Sequence, residues 1–284
     1  MVKKIFGNWS KKYSDYESSK IVLLPVPYDE TSTWMKGADK GIEAILEASF
    51  HIERYDIETD SEVYKNGIFT ALKIEEKSIP EKMVQEVRIV TRKYLEDDKF
   101  VVVIGGEHSV SIGSIQAHKE KYPEMGVLQL DAHADTREKY RGSRYNHACV
   151  MARVREICPI VQVGIRSMDV KEKKKMDMER VFFAQDVYDN DNWMERAIDL
   201  LPEDFYLTFD VDAFSHSIMA STGTPEPGGL GWWKTLEFLG KTIQEKNLVG
   251  FDVVELCPNP NNKAPDMLAA QLIYKILSYH FDKK

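Results

Sequence analysis

Cysteine is scarce in this sequence, and long apolar runs, repeats and an excess of positive charge are missing. Cys149, Cys158 and Cys257 are odd in number and lack C-x-x-C spacing. Neither a disulfide framework nor a thiolate zinc cluster is indicated, and the compartment is expected to be reducing. No apolar run approaches the ~20 residues of a membrane-spanning helix. The opening residues, MVKKIFGNWSKKYSDYE, are basic and then polar with no apolar signal core, so a cytoplasmic protein is expected. Lys and Arg number 38 against 46 Asp and Glu, a net charge of −8. That balance speaks against a nucleic-acid footprint and suits a small cationic substrate.

What is present is the composition of a globular protein, 43% hydrophobic and 30% charged. At 284 residues, a length that α/β units reach as one body, a single domain over residues 1–284 is expected. Residues 21–27, IVLLPVP, read as a strand buried on both faces, and residues 28–40 as a loop leading into a helix over 41–49. Short strands are expected over 51–57 and 67–72, and an amphipathic helix over 80–95 opened by Pro80.

A regular alternation follows. Strands are expected over 100–104, 126–130, 160–163, 181–184, 205–211 and 248–254, with helices over 109–118, 147–157, 193–200, 232–246 and 264–277. Strands alternating with helices predict a mostly parallel sheet with helices on both faces, a three-layer α/β/α fold. In such sheets ligands bind beyond the carboxyl ends of the strands.

The residues at those ends are chemically alike. One strand leads into Glu107 and His108, another into Asp131, His133 and Asp135, a third into Asp210 and Asp212, and a fourth into Asp252 and Glu255. In VLQLDAHADT, three potential ligands alternate, so a strand end aims them to one side. A solvated, charged strand end is the competing reading for that segment alone. Crowded carboxylates repel unless a cation neutralises them, and four Asp with two His form a hard donor set suited to Mn²⁺ or Mg²⁺. Six donors exceed the need of one catalytic ion, which favours two ions about 3.5–4 Å apart.

GGEHS at 105–109, DAHAD at 131–135, FDVD at 209–212, TGTPEPGGL at 222–230 and DVVEL at 252–256, with VPYD at 26–29, resemble the ordered signatures of the ureohydrolase family. That family includes arginase and agmatinase. The resemblance implies the arginase fold, assembly into a homo-oligomer (trimer or hexamer), and two Mn²⁺ per subunit. It implies that His108 and Asp135 bind one ion, His133 and Asp212 the other, and that Asp131 and Asp210 bridge them. It further implies that His147 shuttles protons and that Glu255 holds the substrate guanidinium.

The TPEPGG form is the one usual in agmatinase-like members, so agmatine, giving putrescine and urea, is the expected substrate. Arg137 stands where arginases carry an Asn, and its charge opposes a free ammonium unless Glu138 or another acid compensates. A carboxylated guanidino acid or a formimino compound is the alternative substrate. A metal-binding protein without catalysis is the alternative class. His216, where Asp-Pro is usual, reads as a surface histidine, and the pair Trp232-Trp233 as core or subunit contact.

Overall fold

The computed structural model describes residues 4–189 and 192–282. Its centre is a sheet of eight strands: β1 (Ile21–Val26), β2 (Ile68–Thr70), β3 (Phe100–Gly105), β4 (Gly126–Leu130), β5 (Ile160–Ile165), β6 (Val181–Phe183), β7 (Asp204–Asp210) and β8 (Asn247–Val254). The order across the sheet is β2-β1-β3-β8-β7-β4-β5-β6, and every neighbouring pair is parallel. The helices are α1 (Gly41–Ala48), α2 (Pro80–Glu96), α3 (Ser111–Lys121), α4 (Val150–Val154), α5 (Val170–Lys173), α6 (Ala184–Asp189), α7 (Asn192–Asp199), α8 (Trp232–Glu245) and α9 (Ala264–Phe281).

Continuous apolar runs make sense here because the inner strands are covered on both faces. Side chains of β1 alternate: Ile21 and Leu23 join a core with residues of α1, α7, α8 and α9, while Val22, Leu24 and Val26 join a second core with residues of α2, α3 and α4. Three layers result. Each fully buried Val, Leu or Ile contributes about 1.5–3 kcal/mol relative to exposure.

The chain makes β3 and β4 in succession, yet β7 and β8 lie between them. That insertion puts the carboxyl ends of β3, β8, β7 and β4 side by side at the middle of the sheet, the place where such folds bind ligands.

Most expected elements form close to their expected bounds, with three differences. Residues 51–57 are not a strand. The Asp56 carboxylate accepts from the backbone N–H groups of Glu58 (3.1 Å) and Thr59 (2.9 Å), which turns the chain, and only an isolated antiparallel bridge to Ser61 remains. Ile57 is 84% exposed. The helix expected over 147–157 is a 3₁₀ turn, His147–Cys149, followed by the short α4. Helices α5 and α6 are additional, α5 being opened by an Asp169–Glu172 capping box.

Trp232 is half-buried, and Trp233 lies open beside Tyr55 and Ile57 in an apolar cleft. Among the described residues, no helix is long and apolar enough to cross a membrane.

Candidate metal centre

The chain leaves β3 through Gly105 and Gly106. A Cβ on Gly106 would meet the Tyr28 carbonyl oxygen at 2.1 Å, so only glycine lets the two segments pass. Glu107 and a 3₁₀ turn, His108–Val110, follow. The turn puts His108 Nδ1 3.1 Å from Asp131 Oδ2, 3.1 Å from Asp135 Oδ2 and 3.5 Å from Asp210 Oδ2. Beyond β4, His133 Nδ1 lies 2.9 Å from Asp212 Oδ2 and 3.6 Å from Asp131 Oδ1. Two triplets of donor atoms emerge, His108–Asp131–Asp135 and Asp131–His133–Asp212, with Asp131 common to both.

Backbone and neighbouring groups hold these carboxylates. Asp131 accepts from the His133 backbone N–H (2.6 Å) and from Gln129 Nε2 (2.7 Å). Asp212 accepts from the Ala132 N–H (2.9 Å), and Asp210 from the Asp212 N–H (2.9 Å). Thr208 Oγ1 lies 2.9 Å from His108 Nε2 and donates to Asp252 Oδ1 at 2.7 Å, so His108 donates through Nε2 and turns its Nδ1 toward the carboxylates. Asp252 therefore does not join the convergent acids expected from the sequence. It sits inside β8 on the helix-facing side, buried between Thr208 and Tyr206, whose hydroxyl donates to it at 2.9 Å.

The electrostatics are those of a site built for cations. Burial, then repulsion from Asp212 and Asp131, pushes Asp210 well above the ordinary carboxylate range. Burial also raises Asp135 to about 6, with His108 opposing and Asp131 adding to the rise. Asp212 is raised by burial against the attraction of His133. Burial opposes charge on His108 and His133, but the acids facing them override it and raise both. Asp131 alone is held low, because the two histidines outweigh its burial.

Among the described residues, His108 Nδ1 and Asp212 Oδ2 are buried without a well-directed hydrogen bond, although carboxylate oxygens lie 3.1 Å from the first and His133 Nδ1 2.9 Å from the second. An oxygen-rich cluster with such orphaned lone pairs fits divalent cations: two of them carry the charge of four carboxylates. The donor set meets that test.

A cavity of about 220 Å³ opens beside the cluster, lined among others by His133, Asp135, Asp210, His147 and Glu255. Asp135 and Glu255 have positive φ, 50° and 67°, which costs non-glycine residues roughly 1–2 kcal/mol each. The Asp135 carbonyl accepts from the N–H groups of Met151 (2.9 Å) and Ala152 (3.3 Å), so the first turn of α4 holds that backbone in place. Glu255 Oε1 accepts from the His108 N–H at 2.8 Å and lies 3.7 Å from His147 Nδ1. Burial opposes charge on His147, and the facing Glu255 carboxylate overrides this, raising it.

All eight site residues expected from the sequence thus come together: His108, Asp131, His133, Asp135, Asp210 and Asp212 at the cluster, His147 and Glu255 beside it. His216 is an exposed turn residue.

The match to known proteins is extensive: the profile of the Arginase family covers residues 19–278. The chain belongs to the arginase family. It is 37% identical to the N(1)-aminopropylagmatine ureohydrolase of Synechocystis sp. over 95% of this chain and 92% of the relative. It is 30% identical to the agmatinase of Pyrococcus horikoshii over 93% of each. The agmatine ureohydrolase structure of Thermoplasma volcanium superposes with a TM-score of 0.89 at 28% identity, covering 99% of this chain and 96% of that one. The family assignment makes this chain a ureohydrolase, an enzyme that hydrolyses amidine C–N bonds of guanidino compounds.

Other groups brace the walls of the site. Thr31 donates to Glu107 through its N–H (2.5 Å) and its hydroxyl, and its Oγ1 accepts from the His147 N–H at 2.9 Å. Ser32 N–H and Ser109 Oγ complete the Glu107 carboxylate at 2.9 and 2.6 Å, while burial pushes its pKa up to about 7. Glu107 is thus the anchor of the 31–33 loop, which contributes Thr33 to the cavity wall. The acid beside Arg137 is Glu172, with Nε 3.5 Å from Oε2, and Arg137 also stacks on Tyr140 at 4.9 Å. Glu138 instead pairs with Arg153, Arg155 and Lys175.

Proposed function

We propose that this chain hydrolyses the guanidino group of an amine-tailed substrate, agmatine or its N(1)-aminopropyl derivative, to urea and the corresponding amine, using two Mn²⁺. The observation that carries the reading is the pair of donor triplets sharing Asp131 beside a cavity that also presents Glu255 and His147. His108 and Asp135 would hold one ion, His133 and Asp212 the other, with Asp131 and Asp210 spanning both. The names of the relatives at 37% and 30% identity support the choice of an agmatine-like tail.

When bound, the cations neutralise the carboxylates and acidify water enough to make it a nucleophile near neutral pH. A guanidinium is a delocalised cation and a poor electrophile, so orientation matters. Glu255 spends one oxygen on the His108 N–H, leaving the other to accept from the guanidinium in a charge-assisted bond. Asp135 takes a proton from the attacking water and passes it to the departing amine nitrogen. His147, with a raised pKa and an unpartnered Nε2, carries protons between the cavity and solvent.

One observation favours a second reading, an anionic tail. Arg137 borders both the cavity and a cleft of about 500 Å³ in which Lys139, Lys171, Lys174 and Lys175 outnumber Glu138, Asp169 and Glu172. The Glu172 contact offsets Arg137, which is why the cationic tail is preferred. Urea release by Mn²⁺-loaded protein from agmatine, N(1)-aminopropylagmatine and 4-guanidinobutyrate decides between them. The Asp135→Asn protein serves as the inactive control. Urea from the butyrate alone selects the anionic tail, and no urea from any guanidino compound overturns the hydrolase reading.

A further inference from the structure

Arg166 follows the last residue of β5 and donates only to main-chain carbonyls. Nε reaches Pro227 O (3.0 Å), Nη1 reaches Gly164 O (3.1 Å), and Nη2 is shared among Asp212 O (2.6 Å), Glu226 O (3.2 Å) and Phe214 O (3.4 Å). Its own backbone N–H donates to Ala132 O at 2.8 Å, between Asp131 and His133. No carboxylate pairs with its guanidinium among the described residues. Two segments that leave the sheet, 212–214 and 226–227, are therefore tied to the end of β5 at one side chain. The planar fork is what makes this possible; an ammonium has no such spread of donors.

The tied segments carry one half of the cluster. The Asp212 carbonyl is fixed at 2.6 Å, which sets the backbone from which its Oδ2 reaches His133 Nδ1 at 2.9 Å. Glu226, fixed through its carbonyl, places Oε1 3.7 Å from His133 Nε2. Both ring nitrogens of His133 thus face groups whose backbone Arg166 holds. The 226–229 loop has little freedom otherwise, because Gly229 (φ 96°) passes so close to Phe214 that a Cβ would lie 2.6 Å from its carbonyl oxygen. The other half is supported differently: His108 rests on Thr208 and Asp252, neither of which Arg166 touches.

We propose that Arg166 is the positioning residue of the His133–Asp212 half of the centre, so that its loss weakens one metal ion and spares the other. The inference rests on the two-ion reading above. In family chemistry its role would be to keep that half assembled while the 222–230 loop, which supplies Thr224 to the cavity wall, stays in register with it.

The test is Mn²⁺ titration of metal-free parent, Arg166→Lys and Arg166→Met proteins by calorimetry, with metal stoichiometry after gel filtration and the electron paramagnetic resonance signature of a coupled Mn²⁺ pair. The parent takes up two ions. Arg166→Met retains one at parental affinity, binds the second about 10–100-fold more weakly, and loses the coupled signal at limiting metal. Arg166→Lys falls between them. Both ions binding as in the parent, or both weakening equally, overturns the proposal. Should Arg166→Met fail to fold by circular dichroism, Arg166→Lys carries the same two outcomes. A parent that binds fewer than two ions overturns the two-ion reading itself, and that result is visible before any variant is measured.

Discussion

Glu255 Oε1 accepts a 2.8 Å hydrogen bond from the backbone N–H of His108, so the group proposed to grip the substrate also fixes the turn that presents a metal donor. On the proposed roles, one carboxylate would couple substrate binding to metal retention. Glu255→Gln keeps an acceptor for that N–H but removes the charge, and kcat/KM is expected to fall about 10–100-fold with metal content unchanged. Glu255→Ala removes the acceptor as well and is expected to lose metal in addition. Urea assays alongside metal analysis separate the two; equal metal loss in both variants would refute the division.

The pH dependence of the metal-free protein has a definite sign. Asp135, at about 6, and Asp210 and Asp212 are raised in the fold, so they favour folding while protonated and lose that contribution as pH rises. His108 and His133 are also raised, and their contribution is likewise lost as pH rises through their folded values. Asp131, held low, contributes throughout the neutral range. The metal-free protein is therefore expected to lose stability from pH 5 to pH 8, and the rise in Tm on adding Mn²⁺ to grow over the same interval. Thermal unfolding with Mn²⁺ or with chelator across that range measures both. A metal-induced shift that shrinks with rising pH contradicts the assignment.

His147 is tied by its backbone to Thr31 and faces Glu255, but it is outside both donor triplets. His147→Ala should lower kcat by roughly 10²-fold or more, flatten the pH profile of kcat, and leave both metals in place. Loss of either ion would assign it a ligating role instead.

Arg137 is expected to set tail preference without taking part in the chemistry. Arg137→Met frees Glu172 from its ion pair, so KM for agmatine should drop several-fold while KM for 4-guanidinobutyrate rises. Parallel steady-state measurements on the two substrates check this. A matching change in both KM values would mean that Arg137 acts only on the loop.

The candidate donors were legible in the sequence because each stands at or just after the end of a both-face-buried strand, and strand ends are easy to locate from apolar runs. His108, Asp131 and His133 follow a strand, and Asp210 closes one. Asp252 was misplaced for the same reason: β8 continues two residues beyond it, and the apolar neighbours Phe251 and Val253 give no hint of where the strand stops. Arg166 escaped notice although it also follows a strand, because a cation after β5 has no visible partner until the 212–214 and 226–227 carbonyls are folded around it. The 51–57 segment failed as a strand because a side-chain turn at Asp56 outcompeted an apolar alternation that had no neighbouring strand to pair with. Glu172 lies 35 residues beyond Arg137 in the chain, and a pairing at that distance has no local signature.

The insertion of β7 and β8 between β3 and β4 has a consequence for how the molecule is made. His108 and Asp131 are synthesised in the first half of the chain, but β8 and β7, which fill the gap between β3 and β4, and Asp210 and Asp212, which complete the cluster, come after residue 203. During synthesis the early strands must wait, with apolar edges open, until the last third arrives to fill the gap. A chain ending before residue 204 carries four of the six cluster residues, His108, Asp131, His133 and Asp135, but lacks Asp210, Asp212 and Glu255, so the complete cluster would form late.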